Sequence, residues 1–173
     1  VTRSGGATLT AYMLVSNVSQ LQAMKDRPSG FYALGRDIDA GATAGWNGGK
    51  GFIPVGTANQ TFSGRFFGDD HVIRNLYIND PSLSIAAGLF GAIGGFGVVS
   101  HVGLTGVTIT AGGNVGMLAG QNFGNITKAY ATGNVIGRGA GGLTGLNAGS
   151  ITQAFSTGTV MGLDGGSAGG LAG

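Results

Sequence analysis

Four of the seven aspartates in this chain, which contains no glutamate, fall in two close pairs. Asp37 and Asp39 alternate along FYALGRDIDA (31–40), so both belong to one face of a strand. Two carboxylates so placed are the beginning of a Ca²⁺ site. Asp69 and Asp70 are adjacent in a turn, with Arg65 and Arg74 close by in the sequence. A metal-holding carboxylate beside a basic side chain can take a proton from an acidic sugar. A polysaccharide lyase or hydrolase using Asp69/Asp70 and Arg65/Arg74 is therefore the enzymatic alternative. Turn caps and solvated carboxylates account for the same four aspartates without chemistry, and that reading is preferred.

The other candidate motifs are weaker. His71 and His101 lie 30 residues apart, with no HExxH pattern and no cysteine to join them, so they define no zinc site and read as surface histidines. No GxSxG elbow is present. Gly137, Gly139 and Gly142 match GxGxxG, and Asp164 follows at a distance suited to a ribose contact. That motif needs a helix after it, and GLTGLNAGSIT is a poor one. No catalytic residue, metal or cofactor is expected. Asn17, Asn59 and Asn125 open glycosylation sequons by pattern only.

The elements that must position these residues follow from composition and periodicity. With 38 glycines in 173 residues the chain is a poor helix former, because each glycine costs about 1 kcal/mol in a helix interior. Glycine has no three-residue period, and 42% of residues are apolar, so neither collagen nor a disordered segment fits. Short strands joined by tight turns do. The nine Lys and Arg residues are scattered, with no basic run, so nucleic acid is not an expected partner.

Residues 116–137 (GMLAGQNFGNITKAYATGNVIG) and 141–162 (GGLTGLNAGSITQAFSTGTVMG) repeat at an offset of 25. A third copy starts at Gly169 and is cut off at the C-terminus, so the chain is expected to be part of something longer. Upstream, Gly97, Val99 and Val102 align with Gly124, Ile126 and Ala129 at an offset of 27. Ile73, Leu76 and Ile78 are read as preceding Val99, Val102 and Leu104 by 26. Such a period predicts an all-β, right-handed parallel β-helix (β-solenoid) with coils of about 25 residues. Ile126, Ile151, Val135 and Val160 then stack inside, Asn122 lies over Asn147 as an amide ladder, and glycines supply positive φ at the corners. Thr108-x-Thr110, Thr132-x-Asn134 and Thr157-x-Thr159 are read as a broken threonine row.

Residues 1–80 differ from 81–173. SNVSQLQAMKD (16–26) places Val18, Leu21 and Met24 on one helix face, with Ser16 or Asn17 as N-cap and Pro28 beyond its end. A short N-terminal helix followed by irregular coils is read as a cap on the solenoid, the whole being a single domain. The uncharged run Ile85–Val99, with GLFGAIGGFG at 88–97, resembles a membrane-fusion peptide in isolation. It is shorter than the ~20 residues a spanning helix needs and is rich in glycine, so it is read as a degenerate first repeat, with no membrane insertion.

The repeats resemble the GLUG motif, loosely GGLVGxNxGxIxxSYATGxVxG. The upstream stretches YALGRDIDA, GWNGGKGFIPVG and FSGRFFGDDHVIRNLYIN are similar to the segment that precedes such repeats in filamentous-haemagglutinin-like proteins. Two positions depart from the pattern. Met117 stands at the second glycine of one repeat, and Phe67 takes the place of an aspartate in F-x-G-x-F-D-G. The resemblance implies a β-helix in a bacterial adhesin, secreted or at the cell surface. Such repeats also accompany IgA-cleaving metalloproteases. The expected function is a non-catalytic structural and adhesive spacer. Tyr130, Phe155, Lys128 and Arg138 are its candidate contacts for glycans or proteins of a host or another cell, and self-association through coil ends into filaments is a further alternative.

Overall fold

A computed structural model describes residues 10–82 and 86–173. The run read from Ile85 therefore has its first residue outside the described part. The chain winds as a parallel β-solenoid of about four turns, about 27 residues each, with one short helix. Among the described residues the strand ladders are all parallel, and one isolated antiparallel bridge joins Gly51 to Ile78.

Successive turns lay strands on the same walls. The first wall stacks Met13–Val15, Phe31–Leu34, Arg65–Phe67, residues 98–100, residues 125–127 and Ser150–Thr152. The second stacks Ile38–Asp39, Val72–Arg74 and the stretches around Leu104, Ala131 and Ser156. A third runs from Tyr77–Asp80 through 108–110 and 134–136 to 159–161. A fourth joins Ala86–Ala87, Asn114–Gly116, 139–141 and 167–169. The fifth is a separate sheet of Phe90–Ile93, Ala119–Asn122 and Thr144–Asn147.

Parallel register puts like residues over like in the interior. Tyr32, Phe66, Val99 and Ile126 form one buried column, and Ile78, Ile109 and Val135 another. Ile151 and Val160 extend these columns and are partly buried against them. Each large aliphatic side chain so buried contributes about 1.5–3 kcal/mol, which a single turn could not collect alone.

The N-terminal end is closed by α1 (Val18–Ala23), which tightens into a 3₁₀ turn at Met24–Asp26. Asn17 is the N-cap: its side-chain oxygen accepts from the Gln20 N–H at 2.8 Å. Leu21 and Met24 are fully buried, and Val18 packs against the same core. Gln22 does a second job. Its side-chain amide donates to the Ile53 carbonyl at 2.8 Å and accepts from the Ile53 N–H at 2.9 Å. These are the bonds a neighbouring strand would make, so the helix covers the core and satisfies an open backbone edge together.

Three expectations are corrected. Ile73, Ile78 and Leu76 pair with Leu104, Ile109 and the Val107 level, 31 residues on rather than 26. The threonine row does not form, because a register shift between Ala131 and Gly133 sets Thr108 opposite Asn134 rather than Thr132. The expectation that glycines supply positive φ at the corners holds in part: Gly106, Gly133 and Gly158 have φ of 64°, 151° and 129°, but other corners are turned differently. One corner is turned in left-handed conformation by Asp70, His101, Lys128 and Gln153, with φ of 61°, 55°, 50° and 51°. The conserved-spacing glycines Gly124 and Gly149 serve close approach instead: a Cβ on either would lie 2.3 or 2.2 Å from the carbonyl oxygen of Gly97 or Gly124, one turn below.

This geometry separates two glycine classes. Gly124→Val is expected to destabilise the chain by about 2–4 kcal/mol, because backbone on the adjacent turn must move. Gly170→Ala, whose Cβ would meet nothing within 4 Å, is expected to stay within about 0.5 kcal/mol of the parent. Thermal unfolding of the two variants measures both.

Candidate functional site

The outer surface carries ladders of its own. Tyr130 and Phe155 stack, with ring centroids 5.4 Å apart and planes 8° from parallel. Below them lies Gly103, the residue paired with Tyr130 on the preceding turn. A Cβ on Gly103 would fall 2.3 Å from the Tyr130 ring, so the ring lies flat on that glycine. Both faces of Tyr130 are thus occupied. Phe155, on the last turn described, is 56% exposed. Beside this column the Thr152 hydroxyl donates to the Thr127 hydroxyl at 3.0 Å.

Lys128 stands exposed at the left-handed corner, two residues before Tyr130 and between His101 and Gln153 of the adjacent turns. Arg138 belongs to another part of the coil, between the third and fourth walls, and lies 3.7 Å from the Asp164 carboxylate with both side chains exposed. The four sequence candidates therefore divide: the stack and Lys128 share one stretch of wall, and Arg138 does not join them.

The Asp37–Asp39 pair is engaged by the protein itself. One Asp37 oxygen accepts from the Val72 N–H at 3.0 Å and faces His71 Nδ1 at 3.2 Å, and the other accepts from Arg74 at 2.5 Å. Asp39 accepts from the Gly41 N–H at 2.9 Å and from Asn75 at 3.1 Å. His71 is therefore a partner of Asp37 rather than a lone surface residue. These bonds tie the second wall's first turn to its next, and they occupy the carboxylates that a Ca²⁺ site would need. Among the described residues no three His, Cys, Asp or Glu side chains gather as metal ligands.

Asp69 and Asp70 sit in the left-handed turn at φ 50° and 61°. Arg74 is committed to Asp37, and the Arg65 guanidinium lies over the Phe31 ring at 5.9 Å. Among the described residues neither arginine forms an ion pair with Asp69 or Asp70. GxGxxG starts within the strand Asn125–Gly141, ends at Gly142 just beyond it, and is followed by the strand Thr144–Asn147, not by a helix.

Asn122 is fully buried and donates to the Asn147 side-chain oxygen at 2.7 Å, while its own oxygen accepts from the Gly124 N–H at 3.1 Å. Phe67, at the position of the missing aspartate, packs edge-on against His101 with centroids 5.1 Å apart. The left-handed corner was not legible beforehand. Its one signal is that Lys128 and Gln153 share the offset of the repeat while differing in type.

Asp37 is held below the usual carboxylate value of 3.8, first by the Val72 N–H and then by His71 and Arg74. Asp39 is held below it by the Gly41 N–H and Asn75. Groups depressed on folding add stability that is complete above the unfolded-state value and is lost as pH falls through the folded one. The melting temperature is expected to fall on acidification below about pH 4, and Asp37→Asn should flatten that decline; melting curves at a series of pH values measure both.

No family model matches the chain. Over 154 residues it is 35% identical to Halomucin of Haloquadratum walsbyi, covering 79% of this chain and 2% of that protein. Over 98 residues it is 38% identical to an Evansella cellulosilytica protein provisionally described as a Gly-rich membrane protein, covering 55% of this chain and 11% of that one. Among solved structures, a Bacteroides ovatus protein provisionally described as an immunoglobulin A1 protease matches with a TM-score of 0.73 at 26% identity, over 94% of this chain and 52% of that one. The chain thus corresponds to a small part of each curated relative and to about half of the solved one.

Proposed function

We propose that the chain is a non-catalytic β-solenoid segment of an exported surface protein of the GLUG-repeat, filamentous-haemagglutinin-like kind, serving as rigid spacer and contact surface. The observation that carries this reading is the use made of the polar side chains. Asp37, Arg74, Asn75 and Asn122, which have the types for chemistry, are consumed as braces between turns. The likeness to Halomucin and to a Gly-rich membrane protein supports a place at the cell surface or outside the cell. The likeness to the B. ovatus protein covers 52% of that chain, in keeping with a module carried beside other parts. Among the described residues no helix is long and apolar enough to cross a membrane.

The test is a search for turnover. The folded chain, incubated with a panel of acidic and neutral polysaccharides and with immunoglobulin A1, is expected to release no reducing ends and no immunoglobulin fragments. Polysaccharide turnover that Asp69→Ala abolishes would replace the spacer reading with the lyase or hydrolase one.

A further inference from the structure

We infer that the corner carrying Phe96 and Phe123 is a docking ridge for neutral polysaccharide, a contact site within the spacer reading above. Phe96 is 90% exposed and Phe123 43%. They occupy the same corner on successive turns, since the Asn125 N–H donates to the Gly97 carbonyl and residue 98 pairs with residue 125.

The fold does not explain a phenylalanine there. Phe96 is a central residue of a hydrogen-bonded turn in which the Gly97 N–H donates to the Gly94 carbonyl at 2.8 Å. Such positions favour glycine, asparagine and aspartate, not a bare aromatic ring. The turn is fixed from below as well, because the Gly94 N–H donates to the Phe62 carbonyl at 2.9 Å. Presentation of the ring therefore requires little further ordering of the backbone, and the side chain has only two torsions to freeze.

The chemistry around the ridge selects the partner. Gln121 and Asn125 stand two residues on either side of Phe123, half-buried and exposed respectively. Aromatic faces against sugar C–H faces, with amides for the hydroxyls, suit a glycan. No Asp, Glu, Lys or Arg occurs from Pro81 to Thr127, and the cation nearest in register, Arg65 one turn below Val98, lies over the Phe31 ring, so the two turns that carry the ridge supply no charge of their own for a uronate or sulfate. It also lacks the basic cluster that draws a protein to an anionic membrane. The Tyr130–Phe155 stack is less suited, because each ring hides a face against the other and Gly103 covers the second face of Tyr130.

Adsorption of the folded chain to cellulose, to chitin and to a soluble neutral β-glucan tests the ridge. Binding to at least one is expected, weakened about tenfold by Phe96→Ala and further by Phe96→Ala with Phe123→Ala. Melting temperatures should be unchanged, and Met161→Ala, at an exposed side chain on the third wall, should bind as the parent does. Binding to none of the three, or equal binding by the double variant, overturns the ridge and leaves the spacer reading standing. Phe96-dependent flotation with phosphatidylcholine vesicles, or a Phe96-dependent dimer in sedimentation, also overturns it by assigning the rings to a membrane or to a second copy. Release of reducing ends from the bound glycan instead overturns the non-catalytic reading.

Discussion

At the corner between the fifth wall and the next turn's first wall, the carbonyl oxygens of Gly97 and Gly124 occupy the space where a Cβ on Gly124 and Gly149 would sit. This approach lets one turn lie flat on the next at full strand-to-strand contact, so the Asn125 N–H reaches the Gly97 carbonyl at 2.9 Å and the Ser150 N–H reaches the Gly124 carbonyl at the same distance. The composition follows from it. Glycine that would weaken a helix by about 1 kcal/mol per residue is here the residue that permits stacking. The interior columns, the amide pair and the outer ladders all depend on a vertical spacing that these corners set.

Stacking also governs charge. A side chain on a wall has its counterpart on the next turn about 4.8 Å away, where like charges repel. Only 9% of residues are charged, and adjacent turns seldom repeat a charge at the same position. The left-handed corner carries Asp70, His101, Lys128 and Gln153 in succession, one acid, one histidine, one base and one amide. Neutral groups do repeat, because they gain by it: Asn122 over Asn147 and Thr127 under Thr152 each exchange a hydrogen bond. Where charges do face each other across turns they are opposite in sign, as Asp37 with Arg74 and Arg138 with Asp164.

Legibility in the sequence tracks the same physics. Where two turns are the same length the ladder is visible as a repeat, and Ile126 over Ile151, Tyr130 over Phe155 and Asn122 over Asn147 follow directly. The upstream register was misread because the apolar spacing is degenerate. Ile73, Leu76 and Ile78 fit Val99, Val102 and Leu104 as well as they fit Leu104, Val107 and Ile109, and only the backbone pairing selects the second set. Glycine type alone does not reveal whether the need is a positive φ, as at Gly133 and Gly158, or an absent Cβ, as at Gly124 and Gly149. The Asp37–His71–Arg74 cluster was hidden because its members lie on different turns, separated by a loop that follows no period. The exposure of Phe96 could not be read from a stretch that is apolar throughout.

Positions differ in what they are free to become. Inward columns must remain apolar and the close corners must remain glycine, so neither can encode a partner. Corner side chains that point away are constrained by the neighbouring turn only in charge. Across successive turns they do vary: His101, Lys128 and Gln153 at one corner, and Phe96, Phe123 and Ala148 at another. A frame whose backbone is over-determined by stacking holds such side chains at fixed heights and fixed directions. Freedom to vary in a solenoid of this kind therefore lies at such corners, one residue per turn, while the walls between them carry the stability that keeps those residues in place.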